Sequence, residues 1–209
     1  ITVTAFEQNS PVSCGTIVKV ISSNNADRFN KTSLVNSFNT IAGVRMEERS
    51  PGSYRINLRG SSLRSPFGVR NVKTYWNGIP VTDAGGNTYF NQFAFNNFSF
   101  IEIIKGPAGS LYGAGTGGAI LMHSFNNNFK PGVSLEYVAG SFGLQNFLSS
   151  VSFGNKNNRS LITYAHNESE GYRKHSSSKK DNLSFVSRFK ISDKQQVSTS
   201  VLYNHLFYE

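Results

Sequence analysis

Phe100-Ile-Glu-Ile-Ile-Lys-Gly-Pro107 is rich in β-branched residues and ends on Gly-Pro, so it reads as a strand closed by a turn. Working outward, Ala119-Ile-Leu-Met122 reads as the next strand. Upstream, Asn71-Val-Lys-Thr-Tyr-Trp76 is another, closed at Asn77-Gly78, a strong turn dipeptide. Tyr54-Arg-Ile-Asn-Leu-Arg59 alternates strictly, and Thr16-Ile-Val-Lys-Val-Ile21 is a short strand at the start. Between the last two, Leu34, Phe38 and Ile41 are spaced by four and three residues, which places them on one helical face. Ser22 or Ser23 could cap that helix, and Gly43 ends it. Up to about Phe125 the chain is therefore a mixture of short strands and helix.

Beyond Asn126-Asn-Asn128 the texture changes. Val133, Leu135, Tyr137 and Ala139 alternate with Ser134 and Glu136, and Phe147, Val151 and Phe153 alternate with Ser150 and Ser152. Ser160 to Glu168 is apolar at Leu161, Ile162, Tyr164 and Ala165, with its facing ambiguous. Leu183, Phe185, Phe189 and Ile191 form a fourth alternating run, and Val197, Thr199, Val201 and Tyr203 a fifth. These are strands of roughly 8–11 residues, the length that crosses a bilayer when tilted. Gly154–Asn158 and Ser192–Lys194 are short polar connections, whereas Ser169–Asp181 is long and basic. Short turns on one side and longer loops on the other suit a membrane barrel. Period-two alternation alone equally suits a soluble antiparallel sheet or sandwich.

Composition narrows the classes. The 209 residues carry 16% charged and 13% aromatic side chains. Disordered chains combine high charge with few aromatics, so disorder is excluded. Mean hydropathy is -0.32. No run approaches the roughly 18 apolar residues of a spanning helix, which leaves membrane strands open, since alternating strands average to a polar hydropathy. The net charge of +9 raises nucleic acid or an anionic surface as partners. The bases are spread evenly, however, with a local excess only from Arg45 to Lys73. A single cysteine, Cys14, in a turn-like Ser-Cys-Gly context, allows no internal disulfide and offers no metal spacing. Ile1-Thr-Val-Thr4 is no signal peptide, so the chain is either cytosolic or numbered after processing.

Catalytic patterns are weak. Gly113-Ala-Gly-Thr-Gly-Gly118 matches a dinucleotide fingerprint, but that motif needs a helix N-terminus to hold the pyrophosphate, and Ala119–Met122 is strand-like. His166, Glu168 and Glu170 fall on one strand face, with His175 nearby. Such residues form a polar rim more often than a metal site. No nucleophile elbow or carboxylate pair stands out, and no enzyme and no cofactor are expected.

Five ordered motifs between about Val20 and Ser124 resemble the plug domain of TonB-dependent outer-membrane receptors. Val20-Ile-Ser-Ser23, the helical stretch and Ile41-Ala-Gly-Val44 resemble the family's opening and its P-G-V corner, with Ala42 for proline. Ile56-Asn-Leu-Arg-Gly60 is similar to I-x-I-R-G, and Tyr75-Trp-Asn-Gly-Ile-Pro80 to L-D-G-V-P, with Asn77 for aspartate. Phe100–Pro107 resembles I-E-x-I-E-V-x-R-G-P, with Lys105 for arginine; Leu111-Tyr-Gly113 and Gly117-Gly-Ala-Ile120 match L-Y-G and G-G-V-I.

The resemblance implies an α+β plug domain, a small mixed sheet with short helices, over residues 16–126. Residues 127–209 would follow as the first five or so antiparallel transmembrane strands of a roughly 22-stranded β-barrel. Five strands cannot close a barrel, and an open edge in lipid leaves backbone groups unpaired at several kcal/mol each, so further strands are expected. Residues 1–15 would be TonB box and linker, with Ile1, Thr2, Val3, Thr4 and Ala5 grasped by a TonB-type energy-transducing protein of the periplasm. Ligand would meet the plug apices at Arg64, Ser65, Pro66, Phe67 and Arg70, and at Asn87, Thr88, Tyr89 and Phe90. Arg59 and Lys105 would meet barrel carboxylates. The implied function is uptake of a ferric siderophore or similar iron chelate across the outer membrane of a Gram-negative bacterium. Cobalamin, haem or glycan are the alternatives within the family, and a soluble glycan-binding or adhesive β-protein outside it. Outer-membrane lipid is the expected surroundings, and nucleic acid is not an expected partner.

Overall fold

A computed structural model describes residues 17–22, 28–29, 31–61, 68–106, 109–113, 115, 117–155 and 157–209. Ile1–Ala5, Cys14 and Arg64–Phe67 lie outside them. The chain divides by contact into two compact units: residues up to Asn91 with Phe98–Phe125, and Gln92–Asn97 with Asn126–Glu209.

The first unit contains β1 (Ile17–Ser22), β2 (Val44–Ser50), β3 (Ser53–Leu58), β4 (Val72–Trp76), β5 (Ile79–Pro80), β6 (Phe100–Lys105) and β7 (Gly118–His123), with short helices at Val35–Asn39 and Gly109–Tyr112. Its main sheet has the order β1-β6-β7-β4-β5. β4 and β7 run parallel, and the other neighbours are antiparallel. β6 and β7 are central, and their sequences show why. Ile101, Ile103 and Ile104, and Ala119 to Met122, are near-continuous apolar runs, which suit strands covered on both faces. On one face Val18, Ile104, Ala119 and Leu121 form a cluster backed by Tyr75 and Tyr112. On the other, Val72, Ile103, Ile120 and Met122 are fully buried. Glu102, also fully buried in β6, lies 3.5 Å from Nε2 of His123, whose ring stacks on Phe100.

Two details differ from the sequence reading. The helix is only five residues long, and Ser33 rather than Ser22 supplies an oxygen at its start, accepting the Val35 N–H, while Ser23 lies outside the described residues. Ser22 closes β1 instead. Leu34 and Phe38 are buried as their spacing requires, but Ile41 falls past the helix end, where Gly43 adopts φ +77. Second, β2 had no counterpart in the sequence. Val44 and Met46 are buried, and the rest is polar and mostly exposed, so the alternation is too short to register. β2 pairs with β3 as a separate two-stranded ladder, setting Glu47 opposite Arg55. The local basic excess is thereby partly neutralised: Arg45 Nε lies 2.6 Å from Glu47, holding that carboxyl below its usual pKa.

The second unit is an antiparallel meander of β8 (Gly132–Ala139), β9 (Gln145–Gly154), β10 (Asn158–Ser169), β11 (Ser178–Ser192) and β12 (Gln195–Tyr208). β10 and β11 outrun the expected length because their ends continue past the apolar rows as mostly polar strand, and β12 because it runs on to Leu206-Phe-Tyr208. Register places Val133, Val151, Ile162, Phe185 and Val201 in one row across the sheet, and Leu135, Ser149, Tyr164, Leu183 and Tyr203 in the next. This apolar face is the exposed one: Val133 and Leu135 are both 69% accessible and Tyr203 59%. The opposite face carries Ser150, Thr163, Asn182 and Ser184, of which the last three are essentially inaccessible. A soluble sheet buries its apolar side. Here the pattern is inverted, which resolves the facing of Ser160–Glu168: Ile162 and Tyr164 point outward. Among the described residues the sheet is open, with β8 and β12 at its edges.

Candidate functional site

Two groups of sequence-predicted residues come together within the first unit. The turn that follows β5 is organised by Asp83, whose carboxylate accepts the Asn87 N–H at 2.9 Å while Asp83 N–H donates to the Asn87 carbonyl. The Asn87 N–H, with the Asn87 side chain and the Gly85 and Gly86 N–H groups, holds the Asp83 carboxyl below its ordinary pKa, so it is charged at neutral pH. Arg70 donates through Nε to the Asn87 side chain at 2.7 Å. Val69 bridges Thr88 across an isolated antiparallel pair. Gly86 sits at φ +85, a conformation that suits glycine in a tight turn.

The four residues Asn87 to Phe90 then separate. Tyr89 is 56% exposed. Thr88 is buried, its hydroxyl 2.8 Å from that of Thr82. Phe90 is buried edge-on against Phe38, with centroids 6.0 Å apart. Of the expected apical residues that are described, Arg70 and Tyr89 are exposed and Asn87 is half-buried, whereas the side chains of Thr88 and Phe90 are buried beneath the turn. Asp83, which the sequence reading passed over, joins the exposed residues; its place four residues before Asn87 in an Asp-Ala-Gly-Gly-Asn turn was the available signal.

The second group is Arg59 and Lys105. Arg59 follows β3 at φ +50, and its Nη1 donates to the Lys105 carbonyl at 3.3 Å. Lys105 ends β6, is buried, and directs Nζ to the Ala42 carbonyl at 2.8 Å. Two cations 46 positions apart in sequence thus share one corner. Among the described residues, neither forms an ion pair with a carboxylate.

The third candidate group is resolved differently. His166 Nδ1 meets Asp181 at 2.8 Å and Nε2 meets Glu168 at 3.4 Å, while Lys179 also meets Glu168 at 3.4 Å. Glu170 has left the strand, its N–H donating to the Phe142 carbonyl. Asp181 and Lys179 were invisible from sequence because they arrive on the facing strand. The arrangement is a self-satisfied ion network, and among the described residues no three His, Cys, Asp or Glu side chains converge as metal ligands.

Residues 11–120 match the model of the TonB-dependent receptor plug domain, more than half of the chain. The fold is shared with solved receptors. The ferric yersiniabactin uptake receptor of Yersinia pestis aligns at TM-score 0.73 and 18% identity, over 93% of this chain and 32% of that one. The ferripyoverdine receptor of the Pseudomonas aeruginosa outer membrane aligns at 0.76 and 17%, over 98% and 27%. The siderophore receptor PirA of Acinetobacter baumannii aligns at 0.69 and 18%, over 99% and 33%. The chain thus spans about a third or less of the length of these structures. A matched plug sequence, the mixed sheet that carries it and the antiparallel strands that follow in the manner of a receptor barrel together establish that the chain belongs to the TonB-dependent receptor family.

Proposed function

We propose that this chain serves a receptor that imports a ferric chelate across the outer membrane of a Gram-negative bacterium, energised by a TonB-type protein. The observation that carries the reading is the plug match over residues 11–120 in one chain with a sheet whose apolar face is exposed. No helix of the described residues is long and apolar enough to cross a membrane, and the outward rows of β8–β12 suit lipid instead. The work is binding and passage rather than bond chemistry, so the reading is a receptor and not an enzyme. Solved receptors of similar fold take up ferric yersiniabactin and bind ferripyoverdine, which favours iron chelates over cobalamin, haem or glycan. The test is growth and radiolabelled uptake with a panel of ferric hydroxamate, catecholate and carboxylate chelates, comparing a receptor deletion with its complement. Uptake of none of them in a receptor-dependent way would refute the reading.

Arg64 and Arg70 are proposed to meet the chelate's anionic groups, with Tyr89 supplying an aromatic face. Arg70 is exposed and bonds the Asn87 side chain through Nε. Arg70→Ala should weaken binding of an anionic chelate roughly tenfold, the worth of one solvent-exposed charged hydrogen bond. Unchanged affinity in a titration with the chelate that supports growth would remove Arg70 from the contact surface.

Arg59 and Lys105 are proposed to dock on carboxylates of the barrel wall. Removing one partner of such a pair costs about 3–5 kcal/mol when it is buried, and less where water reaches it. In the full receptor Arg59→Ala should therefore loosen the plug, read as faster killing by an antibiotic too large for porins. Wild-type resistance at normal expression would count against the docking.

A further inference from the structure

Six residues belong to the plug by sequence and to the strand sheet by contact. Gln92-Phe-Ala-Phe-Asn-Asn97 lies within the plug match, yet it clusters with β8–β12, while the chain on either side, up to Asn91 and from Phe98, does not. The segment is shaped by two 3-10 turns, Phe90–Gln92 and Phe95–Asn97. Asn97 is fully buried. Its two amide hydrogens are shared among Thr163 Oγ1 at 2.8 Å, Asn182 Oδ1 at 3.1 Å and Ser184 Oγ at 3.1 Å. Its own side-chain oxygen accepts the Ala94 N–H at 2.6 Å. Asn96 donates to the carbonyls of Ser149 and Tyr164. In return, Asn182 donates to the Gln92 carbonyl at 2.9 Å, and the Lys180 ammonium to the Phe93 carbonyl. Ala94 packs with Leu148 and Ala165, and Phe95 lies against that cluster.

These contacts bind the segment to the sheet through groups on both sides. Thr163, Asn182 and Ser184 are polar side chains withdrawn from water, and the hydrogen-bond partners around them include the side chain of Asn97. If the segment left, it would carry off Asn97 and Asn96 and strip the sheet's polar face of them at once. β1, in contrast, is paired among the described residues only to β6, at the sheet's edge. We infer that Gln92–Asn97 is a fixed footing: it stays on β9, β10 and β11 while the plug residues before Gln92 and after Asn97 rearrange. The movement that opens a path is then confined to those flanking stretches, with the chain yielding at the Asn91–Gln92 and Asn97–Phe98 junctions. The footing itself stands on the contacts above; its persistence during uptake rests on the transport reading.

Hydrogen exchange on the purified wild-type full-length receptor in detergent, under graded urea, tests the footing without any ligand. Segments containing the Ala94 and Asn97 amides should open together with β9–β11, at higher urea than β6 and β7. Opening together with β6 and β7 would overturn the inference. A second arm follows uptake in a Cys14→Ser receptor carrying Ala94→Cys and Ala165→Cys, with the disulfide verified by mass after oxidation. Radiolabelled ferric pyoverdine, ferric yersiniabactin and a ferric catecholate are the probes. Uptake by the closed form equal to that of the same protein reduced is expected. Loss that dithiothreitol restores would show that the footing must release, and would overturn it. Failure of wild type to import any probe would count against the transport reading instead, and the exchange result still decides the footing.

Discussion

A full-length receptor carrying Val3→Pro should bind its chelate with wild-type affinity and fail to import it. Ile1-Thr-Val-Thr-Ala5 is β-branched at its first four positions and is followed by polar residues and Pro11. Such a segment can join the exposed edge of a partner's sheet, where backbone hydrogen bonds supply affinity and alternate side chains supply register. Proline at position 3 removes one backbone donor and fixes φ, so it disrupts the pairing while leaving remote binding loops untouched. The competing reading is a structural strand added to an edge of the plug sheet, where, among the described residues, β1 and β5 stand with one neighbour each. That reading predicts lost stability or lost binding instead. The decisive measurement pairs chelate affinity on isolated membranes with uptake by energised cells. Normal uptake at normal expression would falsify the TonB-box assignment, and reduced affinity would favour the strand.

Gly118→Ala should destabilise the plug by about 4 kcal/mol or more, which places it among exceptional point substitutions. Gly118 opens β7 at φ +131, where any residue with a Cβ is strained. An added Cβ would lie 2.0 Å from the Ile104 carbonyl oxygen, a backbone atom of the neighbouring strand. Relief is blocked on both sides, since Gly118 is paired with Lys105 of β6 and Val72 of β4. Gly132→Ala is the control: its Cβ would meet nothing within 4 Å, and its φ is not positive. The effect there should stay within about 0.5 kcal/mol, as for an ordinary surface change. Protease susceptibility of the plug in the full receptor, followed across a denaturant series, separates the two. A Gly118→Ala plug as resistant as the Gly132→Ala control would show that the close approach is relaxed in the protein.

What the amino-acid sequence determined by itself is local and periodic. Alternation at spacing two announced β3 and the outer strands β8, β9, β11 and β12, a β-branched run announced β6, and a short apolar run announced β7. These signals are written in consecutive residues, so no long-range contact is needed to read them. The ordered motifs from Val20 to Ser124 added the family for the same reason, since each is a contiguous turn or strand end. β2 escaped because only Val44 and Met46 face a core, and the remainder of the strand is polar.

The tertiary structure alone decided the rest. Thr88 and Phe90 look like surface residues beside Tyr89, but one bridges to Val69 and the other meets Phe38, which lies 52 positions away. Arg59 and Lys105 become neighbours only because β3 and β6 end at the same corner. The apolar rows of β8–β12 could have faced a core or a membrane, and it is the register, with the buried Asn97 held on the polar side, that turns them outward. In each case burial and partnership belong to segments far apart in sequence. Residue type states what a side chain can do, while the fold decides which side chains, withdrawn from water together, must satisfy one another.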